Sequence, residues 1–296
     1  MFKNSPFVSA AVILLGSTAH AADIDRPLLN APVSYYGQSE TAPLTSSSGL
    51  RGYIEGSYAR GKSGTFELDN STWSLRGAVN YDTGSGFNVQ GDLDWARTTV
   101  EEDFDYNRFG GTGHLYYRPS QNFAFGAFGS WSRFQSDIFG PAGIPGLDDD
   151  IDDKLAGIEG AWFNDAATVY AALGYGKAAY SGEEADHYMG RLGLRYFLSD
   201  NIRFDLEGSL NRLSYDVADL DIRTLKAVAN YRPDALPVTF FAGYRYDEWE
   251  PSLDGASVGS EDNHSVMAGM RVHFGSSSLK DEERSGPIWS STSLLP

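Results

Sequence analysis

Residues 86–96 read GFNVQGDLDWA. Phe87, Val89, Gly91, Leu93 and Trp95 share one parity, and Asn88, Gln90, Asp92 and Asp94 share the other. Successive side chains of a β-strand point to opposite faces, so a strand separates these two sets. A helix at 3.6 residues per turn mixes them. The stretch is therefore read as a strand with an apolar medium on one side and a polar space on the other.

The same alternation continues in both directions. In Thr72–Tyr81, Trp73, Leu75, Gly77, Val79 and Tyr81 oppose Thr72, Ser74, Arg76, Ala78 and Asn80. Further apolar stripes start at Phe109, Phe123, Ala156, Val169, Tyr188, Ile202, Leu225, Val238 and Val266. With an opening segment Leu50–Ala59, this gives about twelve strands of about 10 residues, the length that crosses a bilayer when tilted. The fold class expected is all-β, a transmembrane antiparallel up-and-down barrel over residues 49–274.

Two further patterns support that class. Connections alternate between short (82–86, 118–122, 164–167, 199–201, 233–237) and long (61–71, 98–107, 135–153, 178–186, 214–221, 248–263), as in outer-membrane barrels. Aromatic residues cluster at both stripe ends. Trp73, Trp95, Phe109, Trp131, Tyr175, Tyr188 and Tyr246 lie beside long loops, and Tyr81, Phe87, Tyr117, Phe123, Tyr196, Tyr231 and Phe274 beside short turns. Rings at strand ends suit two membrane interfaces better than a soluble core.

The flanking segments read differently. Lys3, the apolar run 6–16 and Ala19-His20-Ala21 form a secretory signal, expected to be cut before Ala22. Residues 1–21 are thus a signal peptide, 22–48 a Pro- and Ser-containing periplasmic lead-in, and 275–296 a polar periplasmic tail. The net charge of −17 argues against nucleic acid as a partner. The chain has no cysteine, so stability must come from closure and burial.

Residues 264–286 resemble the endings of porin-like outer-membrane proteins of alphaproteobacteria. The resemblance is carried by Gly269, Arg271, Phe274-Gly275, Leu279 and Arg284-Ser285-Gly286. It implies a porin-like role in the bacterial outer membrane. Phe274 looks like the terminal aromatic of many such barrels, displaced inward by the tail. The partners expected are outer-membrane lipids and lipopolysaccharide, the barrel-assembly machinery, and small hydrophilic solutes.

The inward parity carries most of the strand charge. Arg51, Arg76, Arg108, Arg191, Arg195, Arg203, Lys226, Arg245 and Arg271 are the cations, and Glu55, Asp92, Asp94, Glu159, Asp205 and Glu207 the anions, with Asp247 beside them. Mid-membrane Arg or Lys on the lipid face costs roughly 2–4 kcal/mol, which inward placement avoids. These side chains either line a wet pore or pair across the lumen and close it. Arg191, Arg195 and Arg203 fall on neighbouring strands and form a candidate basic ladder, with Asp205 and Glu207 placed to neutralise it.

Three functions compete. The leading one is a channel for passive diffusion of small hydrophilic solutes or ions. The second is a closed structural or adhesive barrel with acidic surface loops, at Glu101-Glu102-Asp103 with Asp105, Asp148–Asp153, and Glu183-Glu184 with Asp186. Such runs are read as solvated loops without metal-ligand spacing. The third is a lipid hydrolase. His264 has the best position for it, yet its expected outward neighbours, Tyr246 and Tyr58, include no serine nucleophile. No enzyme activity, cofactor or metal is expected.

Overall fold

Period-two alternation closes into a cylinder. The computed structural model describes residues 49–64, 68–101, 104–136, 150–180 and 182–290. The signal segment 1–21, the lead-in 22–48, and Glu102, Asp103, Asp148 and Asp149 of the acidic loops lie outside the described residues. The strands are β1 (Gly49–Ser63), β2 (Asp69–Asp82), β3 (Phe87–Val100), β4 (Phe104–Ser120), β5 (Phe123–Ser136), β6 (Ile151–Phe163), β7 (Ala167–Tyr180), β8 (Glu183–Ser199), β9 (Ile202–Tyr215), β10 (Ala218–Tyr231), β11 (Val238–Leu253), β12 (Ala256–Ser257) and β13 (Glu261–Phe274). Each long strand pairs antiparallel with its neighbours in the chain, and β1 pairs with β13 over Gly52↔Phe274 to Ser63↔Asn263. The two-residue β12 only folds back on the end of β11. The result is a closed barrel of twelve staves, in which no sheet edge is left to hydrogen-bond elsewhere.

Side-chain parity sorts inside from outside. Ile54, Leu75, Leu93, Leu115, Ile158, Leu173, Leu192, Leu206, Leu225 and Met270 all stand exposed on the exterior. Water would not tolerate so continuous an apolar surface, and a hydrocarbon phase requires it. The two aromatic rows bound this band. From Phe87 to Trp95 the strand rises about 27 Å, or about 20 Å along the barrel axis at a typical tilt. Phe87 packs on Tyr117 in one row, and Phe109 on Trp131 in the other, at centroid distances of 4.8 and 5.8 Å.

The long strands run 13 to 17 residues, longer than the sequence pattern indicates. They extend through most of the expected long loops. β9 and β10 meet across residues 216–217, and β1 and β2 remain paired as far as Lys62↔Asp69. Among the described connections, the contrast in loop length therefore survives mainly at residues 254–260, which hold the short β12. The reason is physical. Beyond the aromatic row the outward face is polar, so the hydrogen-bonded hairpin continues without the apolar-out alternation that marks the membrane band. On the outward face it carries ion pairs instead, such as Arg97–Asp105 at 2.5 Å and Lys177–Asp186 at 2.9 Å.

After β13 the chain turns back. Gly275 has φ +78°, a conformation that L side chains rarely adopt. A Cβ there would also lie 2.9 Å from both Leu50 O and Arg51 Cγ. The reversal directs the tail into the barrel, where it forms helix α1 (Leu279–Ser285). Ser278 caps the helix by accepting from Asp281 N at 3.0 Å, and Asp281 and Glu282 occupy its positive end. Seven residues are too few for a helix that stands alone in water, so its stability comes from docking.

Candidate functional site

Among the described residues, charged side chains converge at depth in the lumen. Its wall sorts into two groups. In the first, wall residues satisfy one another. Arg76 pairs with Asp92, Arg108 with Asp94 at 2.9 Å, Arg203 with Asp205 at 2.7 Å, Lys226 with Glu207 at 3.2 Å, Arg245 with Asp247 at 2.7 Å, and Arg271 with Glu55 at 2.5 Å. His114 lies 3.0 Å from Glu159 and 3.2 Å from Asp92. The side chains of this group follow the inward parity read from the sequence.

The second group holds the tail. Residues 275–290 occupy the lumen at its short-turn end, rather than standing outside the barrel as a free polar segment. Glu283 is 1% exposed and receives Arg195 at 2.8 Å and Arg203 at 3.2 Å. Glu282 is 3% exposed and meets His273, with Arg271 at 3.7 Å. Arg51 reaches Asp281 at 2.8 Å. Four further arginines donate to tail carbonyls: Arg118 to Glu283 O and Arg284 O, Arg232 to Ser276 O, Arg76 to Trp289 O, and Arg191 to Ser290 O. Carboxylates buried to this degree are tolerated only when paired, and here the wall supplies every partner.

Beyond the helix the tail crosses the barrel. Gln90 accepts from Ile288 N at 2.9 Å and Trp289 N at 3.2 Å, and donates to Trp289 O at 2.9 Å. The Trp289 ring meets Tyr116 edge-on at 5.6 Å and stacks on His114 at 6.4 Å. Ile288 and Trp289 pack with Tyr116, Phe163 and Tyr170 in a buried cluster. A cavity of about 110 Å³ remains beside the tail, lined by Glu55, Arg76, Asp205, Lys226, Arg271 and Trp289 among others. Nearer the other mouth, Phe134, Ile222 and Trp249 form an inward apolar cluster with Tyr106 and Leu213.

Electrostatics hold the helix end as well. Burial works against the charged Asp281 carboxylate. The Ser277 N–H, the Ser285 hydroxyl and Arg51 outweigh it and keep its pKa below the usual carboxylate range. A carboxylate lowered in this way stabilises docking at every pH above its unfolded pKa, about 3.9. That contribution is lost only as pH falls through the lower folded value. Docking through Asp281 is therefore expected to persist at pH 5.

Lys280 and Arg284 give docking a readout, because trypsin cuts after them only when the tail has left the barrel. Gly275→Ala forces a left-handed alanine at the reversal, at a cost of about 1–2 kcal/mol. It is expected to raise the rate of tail cleavage about tenfold, followed by mass spectrometry of the C-terminal fragment. An unchanged rate would mean that the turn contributes nothing to docking.

Several of these residues were not visible to sequence reasoning. Arg118 and Arg232 continue the inward parity one step past the assigned strand ends, so extending the parity would have found them. The tail carboxylates had one indirect signal, an excess of inward cations over inward anions. Of the three arginines expected as a ladder, Arg195 and Arg203 converge on Glu283 and Arg191 donates to Ser290 O. Of the two neighbours expected for His264, Tyr246 is present, its ring tilted against the imidazole at 5.1 Å; His264 also bonds to Tyr244 and lies 2.9 Å from Asp262. Its partner on β1 is Lys62, and Tyr58 instead faces Ala268, because the β1–β13 pairing carries β1 further past the aromatic row. Among the described residues, no group of acidic or histidine side chains could hold a metal ion.

No protein-family model matches the chain, and no curated protein sequence matches it. Solved structures similar to it include the translocator domain of the autotransporter NalP from Neisseria meningitidis, at 14% identity and TM-score 0.46, covering 78% of this chain and 90% of that one. The β domain of the Bordetella autotransporter BrkA matches at 14% identity and TM-score 0.47, covering 76% and 100%. The NanC porin matches at 12% identity and TM-score 0.46, covering 74% and 98%. At these identities the likeness is one of barrel architecture.

Proposed function

We propose that the chain is an outer-membrane channel of porin type for small hydrophilic solutes or ions, closed at its short-turn mouth by its own C-terminal segment. The observation that carries this reading is how the lumen is filled. Wall side chains do not close the short-turn half. A separate strip of chain fills it, held largely by hydrogen bonds and ion pairs that water or ions can replace. Twelve strands enclose more space than wall side chains alone fill. The second half of the ending read as porin-like, residues 275–286, belongs to the segment that forms this closure. The tail's mouth is then the periplasmic one, and the extended hairpins are extracellular.

A closed structural barrel is the second reading, favoured by the wall pairs Arg108–Asp94 and Arg245–Asp247 below the apolar Phe134–Ile222–Trp249 cluster. Lipid hydrolysis has no support in the surroundings of His264, whose contacts are two tyrosines and an aspartate.

Planar-bilayer recording of the full chain separates these readings. A channel with a docked tail is expected to give resolved but infrequent current steps, and Glu283→Ala is expected to raise their open fraction at least tenfold. Silence from both proteins, inserted and correctly folded, would overturn the channel reading.

A further inference from the structure

Glu282 and Glu283 are adjacent carboxylates set into a wall that is cationic where they touch it. Arg195 and Arg203 grip Glu283 from neighbouring strands, with 8% and 4% of their surface exposed. Arg271 and His273, on β13, face Glu282. Arg203 and Arg271 keep wall carboxylates, Asp205 and Glu55, when the tail leaves. Arg195 makes its one ion pair among the described residues with Glu283, while Asp205, its cross-strand partner on β9, is engaged by Arg203. The Arg195 guanidinium is also fixed in place by the Tyr170 ring, 4.5 Å away. Tail departure therefore uncovers a preorganised guanidinium site sized for two neighbouring carboxylates, inside a water-accessible lumen. Arginine presents planar, paired donors that match carboxylate geometry.

We propose that this Arg195–Arg203–Arg271 wall is a binding site for solutes bearing paired carboxylates, and that Glu282 and Glu283 are a built-in competitor for it. The inference rests on the channel reading and names its solute class. A polycarboxylate reaching the lumen takes the places of the two glutamates, so the solute promotes tail release and occupies the path that release opens. The competitor is a dicarboxylate pair because its two members reach different cations: Glu283 meets Arg195 and Arg203, and Glu282 meets Arg271 and His273.

Tail release in the full chain tests this without requiring conductance. The tail of the lipid-reconstituted protein is exposed to trypsin in chloride or in citrate at matched ionic strength and pH. Citrate at millimolar concentration is expected to speed cleavage after Lys280 or Arg284 at least fivefold over chloride. The Arg195→Ala/Arg203→Ala double variant is expected to be cut rapidly in both salts, with no citrate effect. If the double variant fails to fold, Glu283→Gln serves instead, since it leaves the wall intact. It is expected to be cut faster than wild type in chloride, with a smaller further gain from citrate. Equal wild-type rates in citrate and chloride would overturn the proposal and leave the channel reading standing. A citrate effect on a barrel that never conducts would overturn the channel reading and leave the site.

Discussion

Replacing Glu283 by alanine is expected to free the tail. The substitution leaves two buried guanidinium groups facing a gap. Removing one member of a buried ion pair costs 3–5 kcal/mol, and the lower end applies where water can enter, so the expected cost is about 3 kcal/mol of docking energy. That corresponds to on the order of a hundredfold in the docked-to-released ratio. Trypsin cleavage after Lys280 or Arg284 should rise by a similar factor in lipid-reconstituted protein, while the barrel stays resistant. Glu283→Gln keeps hydrogen-bonding capacity and should fall between wild type and alanine. A tail that is cut equally fast in all three proteins would show that the Arg195–Glu283–Arg203 contact does not hold it.

The second large effect concerns the exterior. Leu192 lies on β8 at mid-band, 61% exposed and between the two aromatic rows. Leu192→Arg places a charge in hydrocarbon and is expected to destabilise the folded barrel by roughly 2–4 kcal/mol. The measurement is reversible urea unfolding in lipid vesicles. Arginine placed at Val217, in the β9–β10 turn beyond the outer aromatic row, should change stability by under about 1 kcal/mol, since the cost falls toward the interface. Equal effects at both positions would mean that the exterior does not face a membrane.

The parts of the molecule that were legible in the sequence share one cause. Where a strand separates lipid from lumen, the two media impose alternation at every second residue, and GFNVQGDLDWA displays it directly. Inward placement of Arg76, Asp92 and Glu207 follows from the same parity. Beyond the outer aromatic row the outward face meets water and the apolar-out alternation ends, so the ends of β1, β2, β9 and β10 carry no such mark in the sequence. The tail was hidden for a related reason. LKDEERS has the composition of a solvated segment, and nothing local shows that Glu283 has partners on β8 and β9. Its N-cap Ser278, acidic first turn and Gly286 stop do spell a short helix, but a helix needs a docking surface to persist, and only closure of the barrel creates one. Gly275 marks the point where the chain reverses, and its role becomes apparent only once Leu50 and Arg51 are known to lie against it.

On the proposed reading the C-terminal segment is a removable occupant of a conducting barrel. The absence of native cysteine allows a direct test. Asn80 Nδ2 donates to Ser285 O at 3.3 Å, so Asn80→Cys with Ser285→Cys can be joined by a short reducible dithiol linker that pins the tail to β2. Current is then recorded from the same inserted molecules before and after reduction. Silence while linked, followed by current steps on reduction, is the expected result. Steps of equal size and frequency in both states, or continued silence after reduction, would contradict the claim.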